Sequence, residues 1–332
     1  EGGEVFFTSS ATMACNEIIG GRALSQEDVV YVSPFLHNAV RRTLYLHEKA
    51  CGCIVKEIPI EEKTLEIDLE KMEYAFRQNP PSYVFVSHVC NVTGYILPIE
   101  EIYNVAKEVT DGEAKVIVDA AQSFGLLEMD YRLTPYDAVI FAGHKTLYGP
   151  FGIAGFIKKK DFELRPYFAG GTGSESLNLS MPKESPNSLE PGSPNLSAIA
   201  GLYAATHFIK EQGIGNIREH EKALTDLLVG GLSSIEGVTL YVPDHKDRHI
   251  GIVSFNAKDW MGETYLAEDI GTLLDREYGI AVRTGYHCAP LIHRYLKNDM
   301  YNGTVRASVG WFTKKEDVER LVQAVREIVE GE

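Results

Sequence analysis

Five short, mostly apolar runs recur through the first half of the chain: Val29 to Val32, Cys53 to Ile58, Tyr83 to Ser87, Val116 to Asp119 and Ala138 to Ala142. Helical or loop segments separate them. Apolar side chains on both faces are what a parallel strand needs, because its crossover helices cover the sheet on both sides. The pattern predicts an α/β fold on a mostly parallel, doubly wound sheet with helices on both faces. Ligands of such sheets lie outside the carboxyl ends of the strands. His88, Asn91, Asp119, His144 and Lys145 stand at or just after expected strand ends, so one crevice is expected to hold them together. A chain of 332 residues, 44% hydrophobic, can bury the core this needs.

Upstream, Phe6-Phe7-Thr8 reads as a strand opening onto Ser9-Ser10-Ala11-Thr12, which has helix-start chemistry. Downstream, residues 170–195 turn polar and rich in turn formers, beginning Gly-Gly-Thr-Gly-Ser-Glu-Ser. They read as a long functional loop, with a disordered connector as the alternative. Leu196 to Lys210 is expected to be helical, and Val238 to Val242 and Ile250 to Phe255 to be strands. Val318, Leu321, Val322, Val325 and Ile328 recur at helical spacing and mark an amphipathic last helix. The expected division is a large domain over 1–195 and a smaller α+β domain over 196–332.

The net charge of −15 opposes nucleic acid or an anionic membrane as a partner, through long-range repulsion. No run of about twenty apolar residues is present to span a bilayer. Glu1-Gly2-Gly3-Glu4 lacks the basic and apolar regions of a signal peptide. The absence of an initiator Met is expected of a processed or incomplete chain. Five cysteines, few and odd in number, point to a reducing cytoplasm rather than a disulfide framework.

Lys145 and Asp119 carry the strongest chemical signal. Pyridoxal phosphate needs a lysine amine to hold its aldehyde and a carboxylate to keep its pyridine nitrogen protonated. A carboxylate closing an apolar strand is costly without a charged partner, which a pyridinium supplies; the alternative for Asp119 is a helix N-cap. Gln122 is near enough in sequence to reach the same ligand. Ser9-Ser10-Ala11-Thr12 suits a phosphate, with free N–H groups and hydroxyls at a helix start. His37 can lie over a cofactor ring or be an ordinary core histidine. Cys288, between turn formers and close to Arg283 and His287, has the surroundings that raise a thiolate fraction, though most cysteines are inert. Cys51-Gly52-Cys53 lacks the second pair a zinc site requires, so packing is the expected role there. Arg306 can fork onto a substrate carboxylate or form a structural ion pair.

These pieces resemble the class V aminotransferase superfamily of fold-type I enzymes, and within it the cysteine desulfurase and selenocysteine lyase group. The likeness runs from Phe7-Thr8-Ser9-Ser10-Ala11-Thr12 to Arg306-Ala307-Ser308. It is most specific at Gly143-His144-Lys145, Asp119-Ala120-Ala121-Gln122 and Arg283-Thr284-Gly285-Tyr286-His287-Cys288-Ala289. The resemblance implies that Lys145 is the Schiff-base lysine, that Asp119 pairs with the pyridine nitrogen, and that Asn91 and Gln122 contact the ring hydroxyl. It implies that His37 stacks on the ring and that Ala11, Thr12 and His144 bind phosphate. Ser193 is expected to reach the phosphate of a neighbouring subunit, making the protein a homodimer. Cys288 is expected to take the sulfur, with Arg306 and Asn91 holding the substrate. Three departures stand out: Ala142 replaces a phosphate-binding hydroxyl residue, Leu36 replaces an acidic residue, and the family's usual opening segment does not precede Glu1.

The function expected from this resemblance converts L-cysteine to L-alanine, leaves a persulfide on Cys288 and passes it to a protein sulfur acceptor, as in iron–sulfur cluster assembly. The alternatives are selenocysteine lyase, cysteine lyase or aminotransferase chemistry. A further alternative is a catalytically silent homologue that traffics sulfur or serves as a scaffold.

Overall fold

A computed structural model describes residues 3–129 and 136–331 of the chain. Glu1 and Gly2 of the N-terminal reading, and residue 332 of the expected second domain, lie outside the described residues. The chain forms two compact units: residues 1–60, 67–88 and 98–214 make the first, and residues 61–66, 89–97 and 215–332 the second.

The first unit is built on a seven-stranded sheet. In chain order its elements begin with β1 (Gly3–Thr8), α1 (Ala11–Gly21), β2 (Val29–Val32), α2 (Asn38–Cys51) and β3 (Ile54–Glu57). β4 (Ile60–Glu61) and β5 (Glu66–Ile67) form a separate two-stranded sheet, residues 61–66 of which belong to the second unit; the first unit continues with α3 (Leu69–Gln78), β6 (Tyr83–Ser87), α4 (Ile99–Val109) and β7 (Lys115–Asp119). Then come β8 (Ala138–Ala142), β9 (Ala154–Lys159) and α5 (Leu196–Gln212). The sheet order is β1-β9-β8-β7-β6-β2-β3. All pairings from β8 to β3 are parallel, whereas β9 runs antiparallel to both β8 and β1.

The five apolar runs are all strands of this sheet, and β6 and β8 are buried at every residue, as burial on both faces demands. The sequence reading did not single out β9. Its text, Ala-Gly-Phe-Ile-Lys-Lys, is short on apolar residues and so carries a weaker strand signal. Phe6 of β1 and Phe156 of β9 stack at 5.1 Å, and Ile18, Ile19, Val32, Phe85, Ile117 and Ile140 bury beside them in one cluster. Each such side chain contributes roughly 1.5–3 kcal/mol on burial. Residues 161–195 contain neither helix nor strand.

The second unit holds α6 (Ile214–Ser233) from Gly215 onward, β10 (Val238–Tyr241), β11 (Ile252–Ala257), α7 (Ala267–Tyr278), β12 (Arg283–Gly285), α8 (Pro290–Leu296), β13 (Thr304–Ser308) and α9 (Lys315–Glu330). Its four-stranded sheet, ordered β10-β11-β13-β12, is antiparallel throughout. Val318, Leu321, Val325 and Ile328 of α9 pack with Leu228, Phe255 and Ile270, as the helical spacing foretold. A boundary at 195/196 was expected. The contacts instead group α5 with the first unit, and return residues 61–66 and 89–97 to the second. Among the described residues no helix is long and apolar enough to cross a membrane.

Candidate active site

In the first unit, β8, β7, β6 and β2 are parallel neighbours, and β1 points the same way because two antiparallel pairings separate it from β8. Their carboxyl ends therefore share one edge of the sheet. That edge receives Lys145 just after β8, Asp119 at the end of β7, His88 just after β6, and the start of α1 after β1.

Local geometry fixes each residue. The turn carrying Lys145 is closed by the Gly143 N–H donating to the Ile153 carbonyl at 3.0 Å and the Gly149 N–H donating to the Gly143 carbonyl at 2.7 Å. A Cβ on Gly143 would stand 2.6 Å from the Ile153 carbonyl oxygen, so the closure admits only glycine. Asp119 is half-buried, and its Oδ1 accepts from the Ala121 N–H at 3.0 Å. A turn follows it rather than a helix, which removes the helix-cap reading. Burial pushes the Cys15 thiol of α1 well above its ordinary range; the Asp119 carboxylate adds to the rise and the Lys145 ammonium opposes it.

Ser10 caps α1 by accepting from the Met13 N–H at 3.3 Å. The N–H groups of Ala11 and Thr12 have no partner within the helix, so with the helix dipole they form an anion site. His144 stacks on Phe151 at 4.7 Å, and burial, then the Lys145 charge, lower its pKa. Burial pushes His88 down to about 4, and its Nδ1 has no hydrogen-bond partner. Gln122 sits half-buried in the turn after Asp119. His37 is the N-cap of α2, its Nδ1 accepting from the Ala39 N–H at 3.0 Å, a role the sequence did not reveal. Ala142 and Leu36 are each 1% exposed and pack in the core. Ser193 is exposed, on a segment anchored where Glu190 Oε1 accepts from the Phe7 N–H at 2.6 Å. An amine, a carboxylate, an anion-binding helix start and an unsatisfied buried imidazole suit a phosphorylated aromatic aldehyde, so the residues present fit pyridoxal phosphate.

The second unit holds Cys288, Arg306 and Asn91. The Ala289 N–H donates to the Tyr286 carbonyl at 2.9 Å across a turn whose central residues, His287 and Cys288, are left-handed at φ 49° and 57°. Two non-glycine residues in this region store strain of about 1–2 kcal/mol each. Arg283 Nη2 approaches the Cys288 sulfur at 3.7 Å. Arg283 also pairs directly across the strands with Arg306, a like-charge pair that is unfavourable alone. Burial, then Arg283, lower the Arg306 pKa. Arg306 Nη1 donates to the Asn91 carbonyl at 2.7 Å, while its buried Nε has no partner. No ion pair involves Arg306 among the described residues, so the ion-pair reading of this arginine fails.

His287 corrects one expectation. Burial pushes it down to about 3, with Arg306 adding to the shift, so it is neutral and supplies no charge to Cys288. Its Nε2 lies 2.8 Å from Thr304 Oγ1, and the Asn91 amide donates to its carbonyl at 2.7 Å. His287 and Asn91 thus hold the turn that carries the thiol. Nothing in the spacing of Thr304 or Asn91 announced these contacts.

A sequence profile of the class-V aminotransferases matches residues 2–321. The chain is 32% identical to a probable cysteine desulfurase of Halalkalibacterium halodurans, covering 98% of this chain and 78% of that protein. It is also 32% identical to a cysteine desulfurase of Escherichia coli O157:H7, again covering 98% and 78%. The fold is similar to the apo structure of a cysteine desulfurase from Thermococcus onnurineus, with a TM-score of 0.87 and 28% identity over 99% of this chain and 80% of that one. The cysteine desulfurase CsdA of Escherichia coli aligns with a TM-score of 0.83 and 25% identity over 97% and 77%.

Proposed function

Because the chain belongs to the class-V aminotransferase family, we propose that it is a pyridoxal phosphate-dependent cysteine desulfurase, converting L-cysteine to L-alanine and leaving a persulfide on Cys288. The observation that carries this reading is the thiol on its strained turn, 3.7 Å from Arg283 and beside an arginine without a carboxylate partner. An aminotransferase has no use for such a thiol.

In this reading Lys145, His37, Asp119, Gln122 and Asn91 hold the cofactor, with Ala11, Thr12 and His144 on its phosphate. Bound there, the cofactor supplies an electron sink for the substrate's α carbon. Arg306 and Asn91 hold the substrate, Arg306 through its carboxylate, and the Lys145 amine moves the α proton. The Cys288 thiolate attacks the substrate sulfur; the carbon–sulfur bond breaks, the sulfur stays as Cys288–S–SH, and the carbon takes a proton to leave as alanine. A second copy of the chain is the proposed source of the phosphate contact from Ser193, and a protein acceptor the proposed recipient of the sulfur.

The test is incubation of the pyridoxal phosphate-loaded protein with L-cysteine, reading alanine and Cys288 persulfide together. Cys288→Ala is expected to keep the cofactor absorbance and lose persulfide formation by at least about 100-fold, as removal of a nucleophile does. Persulfide transfer at the wild-type rate in that variant would refute the assignment. Pyruvate with sulfide, or a keto acid, in place of alanine would move the reading to a lyase or an aminotransferase.

A further inference from the structure

The left-handed turn at His287 and Cys288 must be held by what surrounds it, because neither residue takes that backbone region without strain. Thr304 and Asn91 hold one side. The helix on the other side offers little of its own, since α8 starts at Pro290 and has no side-chain cap at its N-terminus. His293 of that helix reaches back instead. Its ring meets the Tyr286 ring edge to face at 5.0 Å and 74°, and lies 6.0 Å from the His287 ring at a tilt of 35°. Those two residues immediately precede Cys288.

His293 is itself fixed in place. It is 2% exposed, and the fully buried Asn298 sets both polar atoms of its side chain against His293 Nδ1, Nδ2 at 3.1 Å and Oδ1 at 3.2 Å. The Lys297 N–H donates to the His293 carbonyl at 3.2 Å and closes the end of α8. Burial lowers the His293 pKa, with Asn298 and the Tyr286 carbonyl opposing the shift, so at pH 7 the ring is neutral and carries one proton.

The neighbours decide where that proton sits. When the Asn298 amide donates to Nδ1, the proton is on Nε2. In His287 the free nitrogen is the other one: Nε2 lies 3.1 Å from the Thr304 carbonyl, which can only accept, so Nε2 carries the proton and Nδ1 is a bare acceptor. His293 Nε2 and His287 Nδ1 are both buried without a hydrogen-bond partner. A donor and an acceptor are left over on neighbouring rings, and each is costly to bury unmatched.

We propose that His293, seated on Asn298, is a positioning residue for Cys288: its ring supports Tyr286 and His287, and its Nε2 proton is shared with the acceptors of the turn, His287 Nδ1 and the Tyr286 carbonyl. This rests on the reading of Cys288 as the sulfur-accepting thiol. Attack on the substrate sulfur requires the thiolate at one place, and a misplacement of about 1 Å costs on the order of 100-fold in rate. Loss of the brace therefore slows the attack and leaves substrate binding, which falls to Arg306 and Asn91, unchanged.

Two variants of the full-length, cofactor-loaded protein test this. His293→Phe keeps a flat ring and removes both nitrogens; His293→Gln replaces the ring with an amide that can reach the Nε2 place. In His293→Phe, kcat for persulfide formation from L-cysteine is expected to fall about 10-fold to 100-fold, with KM within about twofold. Hydrogen exchange at the Ala289 amide, which closes the turn onto Tyr286, is expected to quicken while the amides of α9 keep their protection. His293→Gln is expected to exceed His293→Phe in kcat by about threefold or more, the contribution of one hydrogen bond. Wild-type kcat or unchanged Ala289 exchange in His293→Phe would overturn the proposal, as would a loss confined to KM, or a His293→Gln chain no better than His293→Phe. Circular dichroism checks folding; if His293→Phe does not fold, Asn298→Ala, which unseats the ring, takes its place with the same expected split. Ala289 exchange needs no catalysis. A wild-type chain that forms no persulfide defeats the desulfurase reading and leaves the exchange comparison standing.

Discussion

His287 and Glu17 show how single buried groups set the response to pH. His287 falls from its ordinary 6.5 to about 3 in the fold. The unfolded chain therefore binds its proton first as pH drops, and stability is lost from about pH 6.5 down towards 3. The slope is about 1.4 kcal/mol per pH unit for one such group. His287→Gln, which can still bond Thr304, is expected to flatten the urea-denaturation profile in that window. Glu17 has the opposite sign. Burial, then the Glu190 charge, raise it from 4.5 to about 7, and its Oε2 has no partner. Its contribution is complete below pH 4.5 and disappears as pH rises through 7. Glu17→Gln is expected to stabilise the protein by about 1–3 kcal/mol at pH 8 and to change little at pH 4, by urea titration at the two values. At this scale Lys145, Asp119, Cys288 and Arg306 stand out in the sequence as candidates because each sits in a short motif whose chemistry suits that residue type. The Thr304–His287 and Asn91–Arg306 contacts were not, since hydrogen bonds between distant residues leave no local pattern.

The elements divide in the same way. β6 and β8 declared themselves because burial on both faces selects unbroken apolar text. β9 did not, since Lys158 and Lys159 occupy its end, Lys158 meeting Glu4 at 2.6 Å. β12 and β13 are short and lie inside the Arg283 and Arg306 motifs, where chemistry masks strand propensity. The turn after β8 makes a test at this level. Gly143→Ala forces a methyl group towards the Ile153 carbonyl, at 2.6 Å, where a backbone atom cannot yield without moving β9. Overpacking of this kind costs about 1–3 kcal/mol. A drop of that size in denaturant titration is expected, together with weaker pyridoxal phosphate binding because the turn also positions Lys145. A stability equal to wild type would show that the turn yields without strain.

Across the whole molecule, the path by which the chain divides into units is not displayed in the sequence. Composition suggested one cut near residue 195; in space, residues 61–66 and 89–97 rejoin a unit otherwise formed after residue 214. Within that unit the Asn91 carbonyl meets Arg306, the Val92 carbonyl accepts from Ser254 Oγ at 2.5 Å, and the Gly94 carbonyl accepts from the Ile250 N–H at 3.0 Å. A fragment of residues 215–332 alone leaves these buried donors unpaired, at about 1–3 kcal/mol each. It is expected to melt without a sharp cooperative transition by circular dichroism. A sharp melt near that of the full chain would show that the returning segment is dispensable.

The return also has a consequence for synthesis. Asn91 leaves the ribosome 215 residues ahead of Arg306, so at about 5–20 residues per second the segment waits on the order of ten seconds or more for its partners. During that interval its buried text, including Cys90, is open to chaperones and to wrong neighbours. A translational pause or truncation between the two would strand a half-made protein with this segment still unclaimed.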